Sequence, residues 1–359
     1  MRKAVPYLIV IFLLNGCGFR DIDKRFFVVA IGVDVSEKTN KAYKVTLELA
    51  IPSPTIKPGE AKHQLISIDA DSVSEAVRVL QSKVDKELNF GQCRIILLGN
   101  SLVIENHKEI IEWLQRRREI SGSSYMAIGK PTAESVLSTH AKSERLPANA
   151  LVLSFEEIAT TSPYVLQEVL LDFYVRYWEK GIDPYLPIIE PDQEKFKINK
   201  VGLYQDKKMK VTLNPNQTQI LSELQNQTRT VIDVKDSGKD FYVTTDKVKT
   251  NINMKFNKYN RPSLDVNLKL EGIIEESHEY LRNQNLKKLE NLAEETLEKR
   301  VKKLLIFLQE EQVDPLGFAL EYSSLTHNPL NIQEWKSVYE DLDINVRAQI
   351  RLKGTGTMY

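Results

Sequence analysis

The clearest order in the chain lies near its end. Leu342, Ile344, Val346, Ala348, Ile350 and Leu352 alternate with Asp343, Asn345, Arg347, Gln349 and Arg351. A period of two marks a strand with one face buried and the other wet. The same period sets Tyr43, Val45, Leu47, Leu49 and Ile51 against Lys44, Thr46 and Glu48. Residues 26–33, dense in Phe, Val and Ile, read as a buried strand, and the polar turn at 36–41 joins the two into a hairpin. Pro52, Pro54, Pro58 and Gly59 then predict a loop.

Helical spacing takes over at Ser72, which with Glu75 forms a candidate capping box. Val73, Ala76, Val77, Leu80 and Val84 follow at that spacing. Residues 94–98 predict a strand, 107–118 a helix buried through Ile110, Ile111 and Leu114, and 124–128 another strand. Ser162-Pro163 predicts a further helix start, since Pro is tolerated at the first helical position. Leu166, Val169, Leu170, Phe173 and Tyr177 line its face and Gly181 stops it. Pro184 and Pro187 predict an extended loop, and residues 201–211 a hairpin turning near Asp206 and Lys207.

Residues 241–243, 252–256 and 264–270 predict an antiparallel meander, followed by a helix over about 277–311. Leu286, Leu289, Ala293, Leu297, Val301, Leu304 and Leu308 form its stripe, and it is about 50 Å long at 1.5 Å per residue. A coiled coil is the rival reading, but strands on both sides favour packing against a sheet. The fold class is therefore α+β, with three mixed α/β domains over 26–130, 131–225 and 226–359. The last is expected to be an antiparallel sheet packed on a long helix.

Composition narrows the function. Hydrophobic residues are 42% and charged residues 27%, an ordinary globular mixture, and Lys+Arg and Asp+Glu both number 49. A net charge of zero argues against nucleic acid, whose binders carry a basic excess. The one dense basic run, Arg116-Arg117-Arg118, falls at a helix end, where cations suit the negative pole of the dipole.

The first residues change the picture more. Arg2 and Lys3 precede an apolar run over 4–14, so 1–16 read as a signal peptide. That run is about half of the ~20 residues a membrane-crossing helix needs. Leu14-Asn15-Gly16-Cys17 resembles a bacterial lipobox, in which the cysteine thiol receives a diacylglycerol. Asn15 departs from the usual residue there; the rival is a plain secretory signal with a coincidental cysteine. Cys17 is the candidate lipid-attachment residue, with 17–25 as a tether. Cys93 is then left without an intramolecular partner, and a buried small hydrophobe explains it better than a nucleophile.

Candidate chemistry is sparse. His63, His107, His140, His278 and His327 show no metal-ligand spacing. Neither a Gly-rich phosphate loop nor a nucleophile elbow is present, and Gly354-Thr355-Gly356 reads as a frayed tail. The pairs Glu156-Glu157, Glu275-Glu276 and Glu310-Glu311 read as solvated charge, because adjacent helical residues diverge by about 100°. Sequons at Asn216 and Asn226 read as accidental. No catalytic, cofactor-binding or metal-ligating residue is expected, and the chain is read as binding partners rather than as an enzyme.

Several passages together resemble one family. They are Arg20-Asp21-Ile22-Asp23, Phe27 to Asp34 with its apolar run into Gly32-Val33-Asp34, Phe90-Gly91-Gln92, and Arg117-Arg118-Glu119-Ile120. Asp314-Pro315-Leu316-Gly317-Phe318, Trp335 and the final alternating strand complete the set. In these the chain resembles the Ger(x)C family, the C-subunit lipoproteins of bacterial spore germinant receptors. Asp21 and Pro315 depart from the family pattern, and Asn214 to Thr218 matches it weakly. The resemblance implies three mixed domains on the outer face of the spore inner membrane and a role in nutrient-triggered germination. It also implies integral-membrane A and B subunits as partners, and no assigned enzymatic activity. The alternatives are an extracytoplasmic solute-binding lipoprotein and a cell-wall hydrolase.

Overall fold

The structure is a computed structural model describing residues 22–51, 63–105, 107–139, 141, 143–144, 146–158, 162–225, 230–235, 240–258, 261–277 and 286–353. The expected signal peptide, Cys17, the expected loop at Pro52 to Gly59, His140, His278 and the glycines at 354 and 356 lie outside the described residues.

The apolar run of 26–33 belongs to β1 (Arg25–Val35), which sits inside a nine-stranded sheet. On one side it pairs antiparallel with β2 (Tyr43–Ala50), and β3 (His63–Ala70) adds beyond. On the other it meets, in succession and in parallel, β4 (Glu87–Asn89) and β5 (Ile95–Gly99). Next come β6 (Tyr125–Gly129) and β7 (Tyr185–Asp192), both parallel, then β8 (Lys195–Gln205) and β9 (Lys208–Leu213), both antiparallel. The central strands are covered on both faces, which is why they read as apolar runs rather than alternations. Val28, Ile31, Ile96 and Met126 join one core with α1 (Val73–Gln81), α2 (Asn100–Ile104), α3 (Lys108–Arg116) and α6 (Leu170–Trp178). Ala30, Ile95, Leu97 and Ala127 join another with α4 (Ala133–Leu137) and α5 (Pro147–Leu153).

The sheet crosses residue 130, so strands on both sides of that expected boundary are hydrogen-bonded together. A second sheet, in the order β10 (Thr230–Val234), β11 (Phe241–Phe256), β12 (Pro262–Ser277) and β13 (Asp343–Leu352), packs on α8 (Leu286–Glu310). Between the sheets lies α7 (Pro215–Leu224), whose Ile220, Leu221 and Leu224 share a core with Leu203 and Leu213 and with the second sheet. Two short helices, α9 (Phe318–Thr326) and α10 (Ile332–Glu340), follow α8.

Several expectations need correction. Strands β10 to β12 are antiparallel, but β13 adds parallel to β12, because the helices between them carry the chain back to the starting end. The last sheet is therefore mixed rather than wholly antiparallel. Ser277 ends β12 instead of opening the helix. Residues 241–243 and 252–256 belong to one strand, whose register shifts at Tyr242/Val243 and Thr245/Lys247 break the alternation between them. Pro184 lies in the short loop 182–184 as expected, but Pro187 does not: β7 runs through it, and only Ile188 and Ile189 pair with β6, so the proline's missing N–H costs no ladder bond on that side. Helix α6 begins at Leu170, not near Pro163, because Met126 N–H donates to Glu168 O (2.9 Å) and Leu170 N–H to Ser124 O (2.8 Å), which holds Val169 extended beside β6. The turn at Asp206 and Lys207 stands as expected, both residues having positive φ, as a two-residue hairpin requires. Ser72 caps α1, accepting from Glu75 N–H (3.1 Å), while the Glu75 carboxylate accepts from Asp71 N–H (2.9 Å), one residue earlier than the expected box.

Candidate functional site

The residues that carry the resemblance come together in pairs, and the pairs are architectural. Asp34 ends the apolar run of β1. Its carboxylate is buried and accepts from Ala133 N–H (2.7 Å) and Glu134 N–H (2.9 Å), so it caps α4 from a strand about a hundred residues away. A Cβ on Gly99 would sit 2.1 Å from Asp34 Oδ1, so this position must be glycine. Burial raises the Asp34 pKa against the pull of those two N–H groups. Phe90-Gly91-Gln92 forms the turn that moves β1 pairing from β4 to β5. Arg117 lies over the Phe90 ring at 4.5 Å and 3.5 Å from Glu119, whose carboxylate accepts from Phe90 N–H at 3.3 Å. Cys93, next in line, is buried with Sγ 3.6 Å from Ile95 O, and burial pushes its thiol up to about 12.

Asp314 plays the same part at the other end. Oδ1 accepts from Gly317 N–H (2.8 Å) and Phe318 N–H (3.0 Å), and Oδ2 from Ala319 N–H (2.8 Å), which caps α9. Gly317 holds φ +78°, a left-handed conformation that disfavours any Cβ. Asp314 also crosses between the sheets. Its N–H donates to Asp183 Oδ2 (2.7 Å), and Asp183 N–H donates to Asp314 O (2.8 Å). Arg176 of α6 donates to Pro315 O (2.9 Å), lies 3.5 Å from Glu168 and covers the Tyr185 ring at 4.9 Å. This seam of Glu168, Arg176, Asp183 and Asp314 fixes the stretch between α8 and α9 against the first sheet.

Burial sets the electrostatics here. It raises Asp314 to about 7, against its three N–H donors and with help from the like charge of Asp183. Burial likewise raises Asp183 to about 6, and Glu168 to about 8 against the Arg176 charge. Beside the seam is a cavity of about 320 Å³ walled by Trp178, Trp335, Lys207 and Lys336. Lys207 sits 3.7 Å over the Trp178 ring. The seam holds no nucleophile beside a base: its carboxylates cap a helix, bond backbone or face Arg176. It can set the relative position of two sheets.

The remaining candidates are scattered. His107 is buried with its ring near Tyr177 and Tyr204 and Nδ1 3.1 Å from Glu105 O, His63 lies 3.8 Å from the buried Glu48, and His327 is capped by Ser324 O. Among the described residues no group of three or more His, Cys, Asp or Glu could hold a metal. No helix of the described residues is long and apolar enough to cross a membrane. Asp183, Arg176 and Glu168 were not singled out in the sequence; they are ordinary charges until Asp314, over a hundred residues on, is placed beside them.

The fold and seam define a two-sheet α+β body whose distinctive residues hold architecture together. Residues 18–191 match the family model described as spore germination protein N-terminal domain, and residues 199–356 that described as spore germination B3/GerAC like, C-terminal. The chain belongs to the Ger(x)C family of spore germination proteins. It is 23% identical to the putative spore germination protein YfkR of Bacillus subtilis (strain 168), over 99% of this chain and 97% of that one. It is 23% identical to spore germination protein GerQC of Bacillus cereus, over 99% of each, and 22% identical to spore germination protein B3 of Bacillus subtilis (strain 168), over 100% of each. The crystal structure of the GerBC protein shares the fold, with a TM-score of 0.57 at 20% identity, over 90% of this chain and 97% of that one.

Proposed function

We propose that this chain is the lipid-anchored C subunit of a nutrient germinant receptor, needed for spore germination through assembly with membrane-embedded A and B subunits. The observation that carries the reading is family membership over both halves of the chain, beginning one residue after the lipobox cysteine. Lipid on Cys17 holds the body at the outer face of the spore inner membrane. Each buried methylene adds about 0.8 kcal/mol, so two or three acyl chains anchor stably. Anchoring raises the local concentration of the body, and a modest interface with the A and B subunits then suffices. In this reading, 26–130 and 131–225 share the first sheet and 226–359 builds the second.

Cys17→Ser is expected to release the chain from membranes or leave it unprocessed, as read by detergent partitioning and mature mass. A membrane-bound variant of normal mature mass would refute the anchor. A deletion strain is expected to lose response to one set of nutrients; unchanged germination under every nutrient, with paralogues also deleted, would refute the receptor role. A second reading, a solute-binding lipoprotein, draws on the cavity beside the seam. Calorimetry with amino acids and sugars separates the two, since only that reading expects heat.

A further inference from the structure

Along α8 the second half of the chain leaves a groove of about 880 Å³. Its floor is apolar: Ile220 of α7 and Leu304 are buried, Phe307 is half-buried, and Ile306 is 36% exposed. Its rim is cationic, with Lys299, Lys302 and Lys303 exposed on α8. Lys299 lies 3.7 Å from Glu295, but Lys302 and Lys303 make no ion pair among the described residues. Of the acids in the lining, Asp233 is 3.8 Å from Lys235, and Glu310 lies at the far end.

The shape and the hydrogen bonds restrict what fits. From Lys299 to Glu310 the groove follows three turns of α8, about 16 Å at 1.5 Å per residue. The neighbouring strand edge is blocked at Val231, in the lining of the groove. The Val231 carbonyl of β10 already accepts from Gln219 Nε2 (2.6 Å) and Arg300 (3.4 Å). At Val231 an occupant therefore meets side chains rather than a free carbonyl, and the apolar floor along three turns of α8 suits a helix better than an added strand.

We propose that this groove docks an acidic amphipathic helix of a membrane-embedded partner subunit. Apolar residues spaced i, i+3/i+4, i+7 lie on Ile220, Leu304 and Phe307, and flanking Asp or Glu face Lys299, Lys302 and Lys303. The proposal rests on the receptor-subunit reading and names the surface that reading needs.

The test solubilises spore membranes carrying tagged A and B subunits and measures their recovery with the full lipidated chain. Three chains are compared: wild type, Lys302→Glu/Lys303→Glu, and Lys195→Glu/Lys197→Glu as an equal charge change on the first sheet. The groove pair is expected to lower recovery of one subunit about tenfold, as like charges brought together do, with unchanged circular dichroism and an unaffected control. Equal recovery by wild type and groove variant overturns the proposal, as does equal loss in both variants. Wild-type recovery of neither subunit sinks the receptor reading and the groove with it. Should the groove variant keep both subunits but lose binding to phosphatidylglycerol vesicles that wild type binds, the groove faces lipid, and the helix proposal fails.

Discussion

Asp34 and Asp314 perform one task in two settings. Each is a buried carboxylate that caps a helix from outside it, taking two backbone N–H groups in one case and three in the other. Glu48 does the same on a smaller scale, accepting from Ala148 N–H of α5 at 3.2 Å. The settings differ in what else the acid holds. Asp34 stays within the first sheet and its helix, whereas Asp314 is tied through Asp183 to the other half of the molecule. The first is a staple within a layer and the second a latch between layers.

That difference predicts the largest effect at the latch. Asp314→Ala leaves three N–H groups without their acceptor, those of Phe318 and Ala319 buried, and is expected to cost about 3–5 kcal/mol, read as a fall in the urea midpoint. Amide exchange should rise at Phe318 and Ala319 and also at Asp183, across the seam. Exchange confined to α9 would show that Asp314 is a local cap and break the contrast. Asp34→Ala is expected to cost about 2–3 kcal/mol, with faster exchange at Ala133 and Glu134 and none at α9.

The glycines refine the comparison at smaller cost. Gly317→Ala places a Cβ at positive φ, about 1–2 kcal/mol, with a tight nearest contact 3.3 Å from the end of the Ile182 side chain, which must give by a few tenths of an ångström. Gly99→Ala has no φ penalty but drives a Cβ into Asp34 Oδ1. Gly317→Asn is therefore expected to recover part of the loss, since Asn tolerates that conformation, while no small residue rescues Gly99. Thermal melts of the three variants decide this.

These caps also show how far the sequence could be read. The hairpin of β1 and β2, the long helix and β13 were legible because one buried face imposes a regular period. Capping acids leave no such trace. Asp34 and Asp314 stood out only as parts of family-like motifs, and their role needs helices a hundred residues away or a turn three residues on. Pro187 misled because a local breaker signal is harmless where one strand edge is unpaired, and β11 misled because its register shifts interrupt the alternation within one strand. The charged stripe of α8 hid another structural role. Glu298, Glu294 and Glu290 accept from Ala348, Ile350 and Leu352 N–H at 2.8, 3.0 and 3.0 Å, closing the open edge of β13. Periodicity gave the helix, but only the fold gives those glutamates their partners.

Asp34 and Asp314 also differ in the acid beside each: Glu134 beside Asp34 is ion-paired with Lys44, whereas Asp183 beside Asp314 has its own pKa raised by burial. Asp314 and Asp183 both have folded pKa values raised by burial, to about 7 and about 6, above the ordinary carboxylate value near 3.8. Between those limits the folded chain holds protons the unfolded chain has released. Stability from this pair is therefore fully present below about pH 4 and is lost as pH rises through 6 to 7. Above that range both states are ionised and the dependence flattens. Asp183→Asn keeps an oxygen to accept from Asp314 N–H and removes the like charge. It is expected to shrink the loss between pH 4 and 7 by about 2–3 kcal/mol, the value of the roughly two pKa units by which Asp183 itself is raised, measured as the difference in urea stability at the two pH values. An unchanged slope would mean that the two acids do not titrate together, and the latch would then differ from the staple only in the backbone it holds.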